Sequence, residues 1–275
     1  MRTVHPCFHE SASRRAGRIH LPIASTCNIQ CNYCNRRYDC VNESRPGVSS
    51  LLLNEEDVIS YLRQRLSTTD SISVIGIAGP GDPLADPGKI RRICSEVHYH
   101  YPEMLLCIST NGLNLVNHVD ALADAGVTHV TVTVNAVDAD VGGRIYQWVQ
   151  HDGLICHGPA AATILWAAQS GAIKKAKARG LTVKVNTVVI PGINDDHVEA
   201  VARACAGLGA DIMNCIPMIP VASTPFGGLS EISKTDMSRF VCRAAKHIRQ
   251  MRHCVRCRAD ASGLLSEVAG ISAHA

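Results

Sequence analysis

Three cysteines stand in the segment Cys27-Asn-Ile-Gln-Cys31-Asn-Tyr-Cys34, a Cys-x3-Cys-x2-Cys spacing. Three thiolates on a [4Fe-4S] cluster occupy three of its irons and leave the fourth to a small chelator. Zinc also takes thiolates, but structural zinc favours two separated Cys-x2-Cys knuckles over an asymmetric triple. The pattern predicts an iron–sulfur site with one open iron. A second motif, Gly79-Pro80-Gly81-Asp82-Pro83, joins glycines that let backbone approach a ligand to carbonyls that accept from an ammonium group. Thr110, Asn111, Asn135 and Asn186 lie at or near the ends of apolar runs. Their side chains suit a ligand's hydroxyls or carboxylate, and equally suit the capping of strand ends.

These motifs need a scaffold that gathers them. Apolar, β-rich runs recur at 19–24, 72–78, 104–110, 128–134, 182–190 and 211–217, predicting six strands. Helical segments are expected after Asn54, whose side chain can cap the turn bearing Glu55, Glu56 and Asp57, and near 88–100, 117–125, 160–179 and 196–208. Continuous buried strands alternating with helices imply a parallel sheet with right-handed crossovers, and six units imply a partial (β/α)6 barrel of the TIM type rather than a closed one of eight. Ligands then gather at the C-terminal ends of the strands, where the loop carrying Cys27, Cys31 and Cys34 and the Gly79–Asp82 turn both fall. A doubly wound sheet would use the same edge. The first 18 residues and a tail from about 233 lie outside the repeat, so 1–275 reads as one domain with functional ends.

Composition narrows the function. The chain is 46% hydrophobic with a formal charge of +3 and no isolated polybasic block, which argues against nucleic acid as a partner. No signal-peptide core and no membrane-spanning run is visible, so a cytoplasmic protein without membrane contact is expected. Thirteen cysteines in a chain of this size suggest metal ligands rather than disulfides.

After the triple, Cys7, Cys40, Cys254 and Cys257 lie mostly outside apolar runs, Cys40 in a polar loop and Cys257 between arginines. Cys94, Cys156, Cys205, Cys215 and Cys242 sit in or beside helix or strand patterns and read as packing residues. By pattern alone Cys107, inside an apolar strand, reads as a core thiol, and His20 as a satisfied strand histidine. His5 and His9 flank Cys7 as competing ligands. Glu43 and Arg45 follow the cysteine loop, as proton-transfer or ligand-contacting groups or as a solvated ion pair.

The cysteine triple and the glycine motif resemble the radical S-adenosylmethionine (SAM) superfamily, with Asp82 where Glu is more usual. That resemblance implies a [4Fe-4S] cluster on Cys27, Cys31 and Cys34, SAM on its open iron, and Tyr33 beside the adenine. The segments His5–Phe8, Gly17–Pro22, Cys27–Cys40 and Asn42–Val48 are further similar to the NifB family of nitrogenase cofactor biosynthesis proteins. This resemblance implies two further [4Fe-4S] clusters as substrates: K1 on Cys7, His20 and Cys107, and K2 on Cys40, Cys254 and Cys257. They would be fused with a SAM-derived carbide and an added sulfide into an [8Fe-9S-C] product. It also implies cluster-delivery and scaffold proteins and an electron donor as partners, and a monomer. With only about 18 residues after Cys257, the cofactor carrier is expected to be a separate protein. Two other readings compete: a different radical SAM enzyme with an auxiliary cluster, of the molybdopterin-cyclase or peptide-modifying kind, and a non-catalytic cluster carrier. The ending 272–275 lacks the Gly-Gly expected of the cyclase, and an open iron beside a glycine-rich loop gives a passive carrier nothing.

Overall fold

The computed structural model describes residues 4–265; the ending 272–275 lies outside them. Six parallel strands alternate with helices, as the sequence predicts. In chain order the strands are β1 (Gly17–Pro22), β2 (Ile29–Cys31), β3 (Ile72–Ala78), β4 (Leu105–Thr110), β5 (Val127–Thr133), β6 (Tyr146–His151), β7 (Leu154–Cys156), β8 (Thr182–Val189), β9 (Ile212–Pro217) and β10 (Ser262–Gly263). The helices are α1 (Val58–Thr68), α2 (Pro87–His100), α3 (Leu115–Asp124), α4 (Ala139–Ile145), α5 (Gly158–Ala178), α6 (Val198–Gly207) and α7 (Lys234–Ala244). The main sheet runs β10-β1-β3-β4-β5-β8-β9, parallel except for β10. It is a curled half-barrel of the α/β class.

The strands are not apolar on both faces. Ile19, Leu21, Ile75, Ile77, Leu106, Ile108, Val130, Val132, Val183 and Val185 belong to the core shared with the helices. The alternate residues His20, Gly76, Cys107, Ser109, Thr131, Lys184, Asn186 and Asn214 line an internal cavity. A period of two with a polar inward row is what a half-barrel requires when its lumen holds a guest rather than packed side chains.

Three elements depart from the sequence reading. Asn54 does not cap with its side chain; its amide donates to Asp57 instead, at 3.2 Å. The cysteine segment is not all loop: β2 pairs antiparallel with β6, and β6 with β7, in a small second sheet. The hairpin joining β6 to β7 turns on Asp152 and Gly153, both with positive φ (49° and 77°), the geometry that Asp-Gly favours. That signal was present and unread. Lastly, Cys242 is exposed, while Cys94 and Cys205 are buried as expected.

The chain ends close the half-barrel. Phe8 is buried against Ile212 and Met251, and Ser73 at the start of β3 donates to the Val4 carbonyl, so the first residues plug the N-terminal mouth of the sheet. The tail bridges the open side: Met213 of β9 pairs with Gln250, and β10 pairs with β1 at the opposite edge. Among the described residues no helix is long and apolar enough to cross a membrane.

Candidate active site

Two adjoining cavities hold the residues singled out from the sequence. The outer one is lined by Cys27, Cys31, Tyr33, Cys34, Cys40, Asn42, Pro80, Gly81, Asp82, Thr110 and Asn111. The inner one, in the barrel lumen, is lined by Cys7, His20, Cys107, Cys254 and Cys257. Glu43 and Ser109 stand in both walls.

Backbone contacts place the outer thiols. The glycine motif lies directly on the segment leading to Cys27: Gly81 N–H donates to Ala24 (2.9 Å) and Asp82 N–H to Thr26 (2.7 Å). A side chain at Gly79 or Gly81 would come within 2.2 and 2.0 Å of the carbonyls of Ala24 and Thr26. The glycines therefore serve backbone-to-backbone approach first. The Gly79 carbonyl also accepts from Cys40 N–H at 3.1 Å. On the other side β6 pins β2, with Gln30 opposite Trp148, and Arg36 lies over the Trp148 ring at 5.0 Å.

The polar residues near these thiols divide into two kinds. Asp82 accepts from Leu84 N–H, the Thr110 hydroxyl and Asn111 N–H. Burial pushes its carboxyl up to about 6, against those hydrogen bonds. It organises the turn after β4. Asn111 donates to the Asn28 side chain at 2.7 Å. Asn135 is taken up internally, donating to the Tyr33 hydroxyl (2.6 Å) and accepting from Val188 N–H (2.9 Å). The Tyr33 hydroxyl in turn donates to Asn42 at 2.7 Å. Asn186 lines the lumen and donates to the Asn42 carbonyl. So Asn135 positions the tyrosine, and Asn186 belongs to the inner cavity.

The lumen settles the histidines by hydrogen-bond logic. His20 Nδ1 lies 3.1 Å from the Arg258 carbonyl, which can only accept; Nδ1 carries the proton and Nε2 keeps its lone pair. Burial pushes the imidazole down to about 4, so it is neutral and ready to ligate. Gly76 makes room for it: a Cβ there would sit 2.9 Å from His20 Cδ2. His5 is the reverse case. Its Nδ1 accepts from Cys7 N–H at 3.1 Å, so its proton is on Nε2.

Burial dominates the thiols as well, pushing Cys7 up to about 11 and Cys27 and Cys107 up to about 12. Thiols of this kind release their proton when they bind metal as thiolates. Cys257 is held by the fully buried Arg18, whose guanidinium donates to its Sγ at 2.8 Å. Arg45 donates to the Arg256 carbonyl (2.9 Å), fastening the cysteine loop to the tail pair instead of forming a solvated pair with Glu43. Glu43 is half-buried; desolvation raises its carboxyl to about 8, opposed by Ser109 and Lys184. Arg18, Ser109 and Lys184 were not singled out from the sequence. Their signal was the polar half of the strand alternation.

Residues 21–205 match the radical SAM superfamily. The chain belongs to that superfamily. It is also 46% identical over 264 residues to the FeMo cofactor biosynthesis protein NifB of Chlorobaculum tepidum, covering 96% of this chain and 62% of that protein. The corresponding protein of Klebsiella pneumoniae is 45% identical over 267 residues, at 96% and 57% coverage. The chain thus spans about three fifths of the length of these relatives. Among solved structures, methylornithine synthase (PylB) aligns with a TM-score of 0.58 at 16% identity, covering 86% of this chain and 64% of that one. The FeFe-hydrogenase maturase HydG of Carboxydothermus hydrogenoformans gives 0.58 at 14% identity, with 86% and 53% coverage. At such identities these two speak for the fold alone.

The superfamily implies an iron–sulfur cluster and SAM, and the outer cavity fits them. Cys27, Cys31 and Cys34 line one cavity, where a cube would take their thiolates at separate corners. Beside Cys27, the Asn28 side-chain nitrogen is buried without a hydrogen-bond partner, a donor suited to cluster sulfur.

Proposed function

We propose that this chain is a radical SAM enzyme of nitrogenase cofactor assembly that works on iron–sulfur clusters, building two [4Fe-4S] clusters, a SAM-derived carbide and an added sulfide into an [8Fe-9S-C] precursor. The observation that carries this reading is the joined pair of cavities: the SAM-type cysteine triple lines one, and five further cluster-type ligands line the other, with Cys40 in the wall of the first. The similarity to NifB proteins of FeMo cofactor biosynthesis supports it.

Cys27, Cys31 and Cys34 would hold the catalytic cluster, and Pro80, Gly81, Thr110 and Asn111 would border SAM, with Tyr33 as a rigid wall. When bound, that pair supplies a carbon-centred radical by reductive cleavage of SAM. The protein orients the partners and excludes water, so that the radical meets its target first. In the lumen, Cys7, His20 and Cys107 would hold one substrate cluster; Cys254 and Cys257, with Cys40 reaching from the outer wall, would hold the other. His20 would be the exchangeable ligand, since neutral imidazole is released more easily than thiolate. Glu43, between the cavities with its carboxyl raised to about 8, would in its ionised form accept protons as carbon loses its hydrogens and release them to solvent between turnovers.

Anaerobic reconstitution followed by SAM and a reductant tests this reading. About twelve irons per chain are expected for three cubes, with both S-adenosylhomocysteine and 5′-deoxyadenosine formed. Only about four irons and no S-adenosylhomocysteine would sink it.

A further inference from the structure

Lys184 is the residue of the lumen that the ligand sets leave unused. It sits on β8 beside Thr131 of β5, whose other neighbour is Ser109 of β4, placing an ammonium group at the level where Glu43 meets Ser109. Its side chain lines the cavity and is 8% exposed. Among the described residues its ammonium makes no hydrogen bond or ion pair; it lies over the Phe8 ring, with Nζ 5.7 Å from the centroid. A buried ammonium without an acceptor is costly unless an anion completes it.

A second donor is left open in the same wall. His5 lines the lumen, and its protonated Nε2 is buried without a partner. The other cations nearby are already tied: Arg18 to Cys257 and the Gly263 carbonyl, and Arg256 to the Pro217 and Val41 carbonyls. Among the described residues the lumen therefore presents the Lys184 ammonium and the His5 N–H, both without a partner, among sulfur ligands.

We propose that Lys184 and His5 are positioning residues for an anionic iron–sulfur substrate in the lumen, Lys184 as its counter-charge and His5 as a hydrogen-bond donor to its sulfur, neither being an iron ligand. This rests on the reading that the lumen takes iron–sulfur clusters. A cube on thiolates carries net negative charge, and donors or cations near its sulfurs raise its reduction potential. Lys184 thereby retains the substrate and sets how readily it accepts an electron, while Cys7, His20 and Cys107 supply the bonds.

The test uses the full chain with Cys27, Cys31 and Cys34 all changed to Ala, reconstituted anaerobically with iron and sulfide, so that lumen clusters are read alone. If this chain takes up no iron–sulfur cluster, the parent reading fails, and this one with it. If it does, adding Lys184→Met is expected to shift the clusters' midpoint potential to more negative values, read by redox titration with electron paramagnetic resonance. Loss of iron to a chelator should quicken roughly tenfold, as for removal of one good charge contact. Lys184→Arg should restore both. Lys184→Gln, which keeps length and polarity without charge, reads the same effect should the Met variant not fold. In His5→Phe, an exchangeable proton coupled to the cluster should vanish from the pulsed spectra. Unchanged potential and iron retention in both the Met and Gln variants, with clusters present, would overturn the proposal for Lys184; a persisting proton coupling would overturn it for His5.

Discussion

Single side chains in the lumen are placed by what their neighbours lack. His20 leans into space that Gly76 vacates, with 2.9 Å between its Cδ2 and the position of a Cβ, a separation that real side chains do not adopt. Gly76→Ala should therefore displace the imidazole. Its reconstituted chain is expected to lose about four irons on gel filtration, the loss also expected of His20→Ala, with the circular dichroism of the fold unchanged. Full iron retention in Gly76→Ala would show that His20 is not a ligand. The two histidines also show what residue type leaves open. Both His5 and His20 neighbour sulfur in the folded chain, yet only His20 presents a lone pair, because its Nδ1 faces a carbonyl while that of His5 faces an amide.

At the scale of elements, the hairpin β6–β7 is the support of the cysteine triple. β2, which contains Cys31, pairs with β6 and with nothing else among the described residues, so the turn at Asp152 and Gly153 holds one wall of the outer cavity. Gly153 has a φ of +77°, which a β-branched residue adopts only at a cost of about 1–2 kcal/mol. Gly153→Val should reduce 5′-deoxyadenosine formation severalfold while leaving the lumen iron in place. Equal loss of both would mean that the hairpin stabilises the whole molecule and not the triple in particular. The six strands and their helices were legible because apolar runs and breakers recur at regular intervals. The hairpin was not, since its residues alternate weakly and its partner is a three-residue strand inside a loop pattern.

Across the whole molecule, the chain ends complete what the half-barrel leaves open, and they do so with buried imidazoles. The His5, Phe8 and His129 rings lie 4.7–4.8 Å apart by centroid where the N-terminal plug meets the sheet. Burial pushes His129 down to about 4 and His5 well below its ordinary value. A depressed histidine contributes stability that is present above pH 6.5 and is lost as pH falls from there towards 4, because the unfolded chain binds the proton first. For His129 the limit is about 3 kcal/mol. The urea midpoint of the metal-free protein should thus fall less between pH 7 and 4.5 in His129→Phe than in the parent chain. Parallel pH profiles would rule out His129 as a source of acid sensitivity.

The class of fold and the close grouping of Cys27, Cys31 and Cys34 were legible in the chain alone. Strand and helix periodicities are local, and three cysteines within eight residues must stay close together wherever their segment lies, so both could be read along the chain. What only the tertiary structure decided is which distant residues share a cavity. Cys7, His20, Cys107, Cys254 and Cys257 are brought together by the register of β1, β3 and β4 and by the closing of plug and tail. A strand pattern also does not say whether its polar alternate row meets solvent or a lumen. Curling of the sheet turned Lys184, Arg18 and Ser109 inward, and with them the charge that an anionic guest would meet.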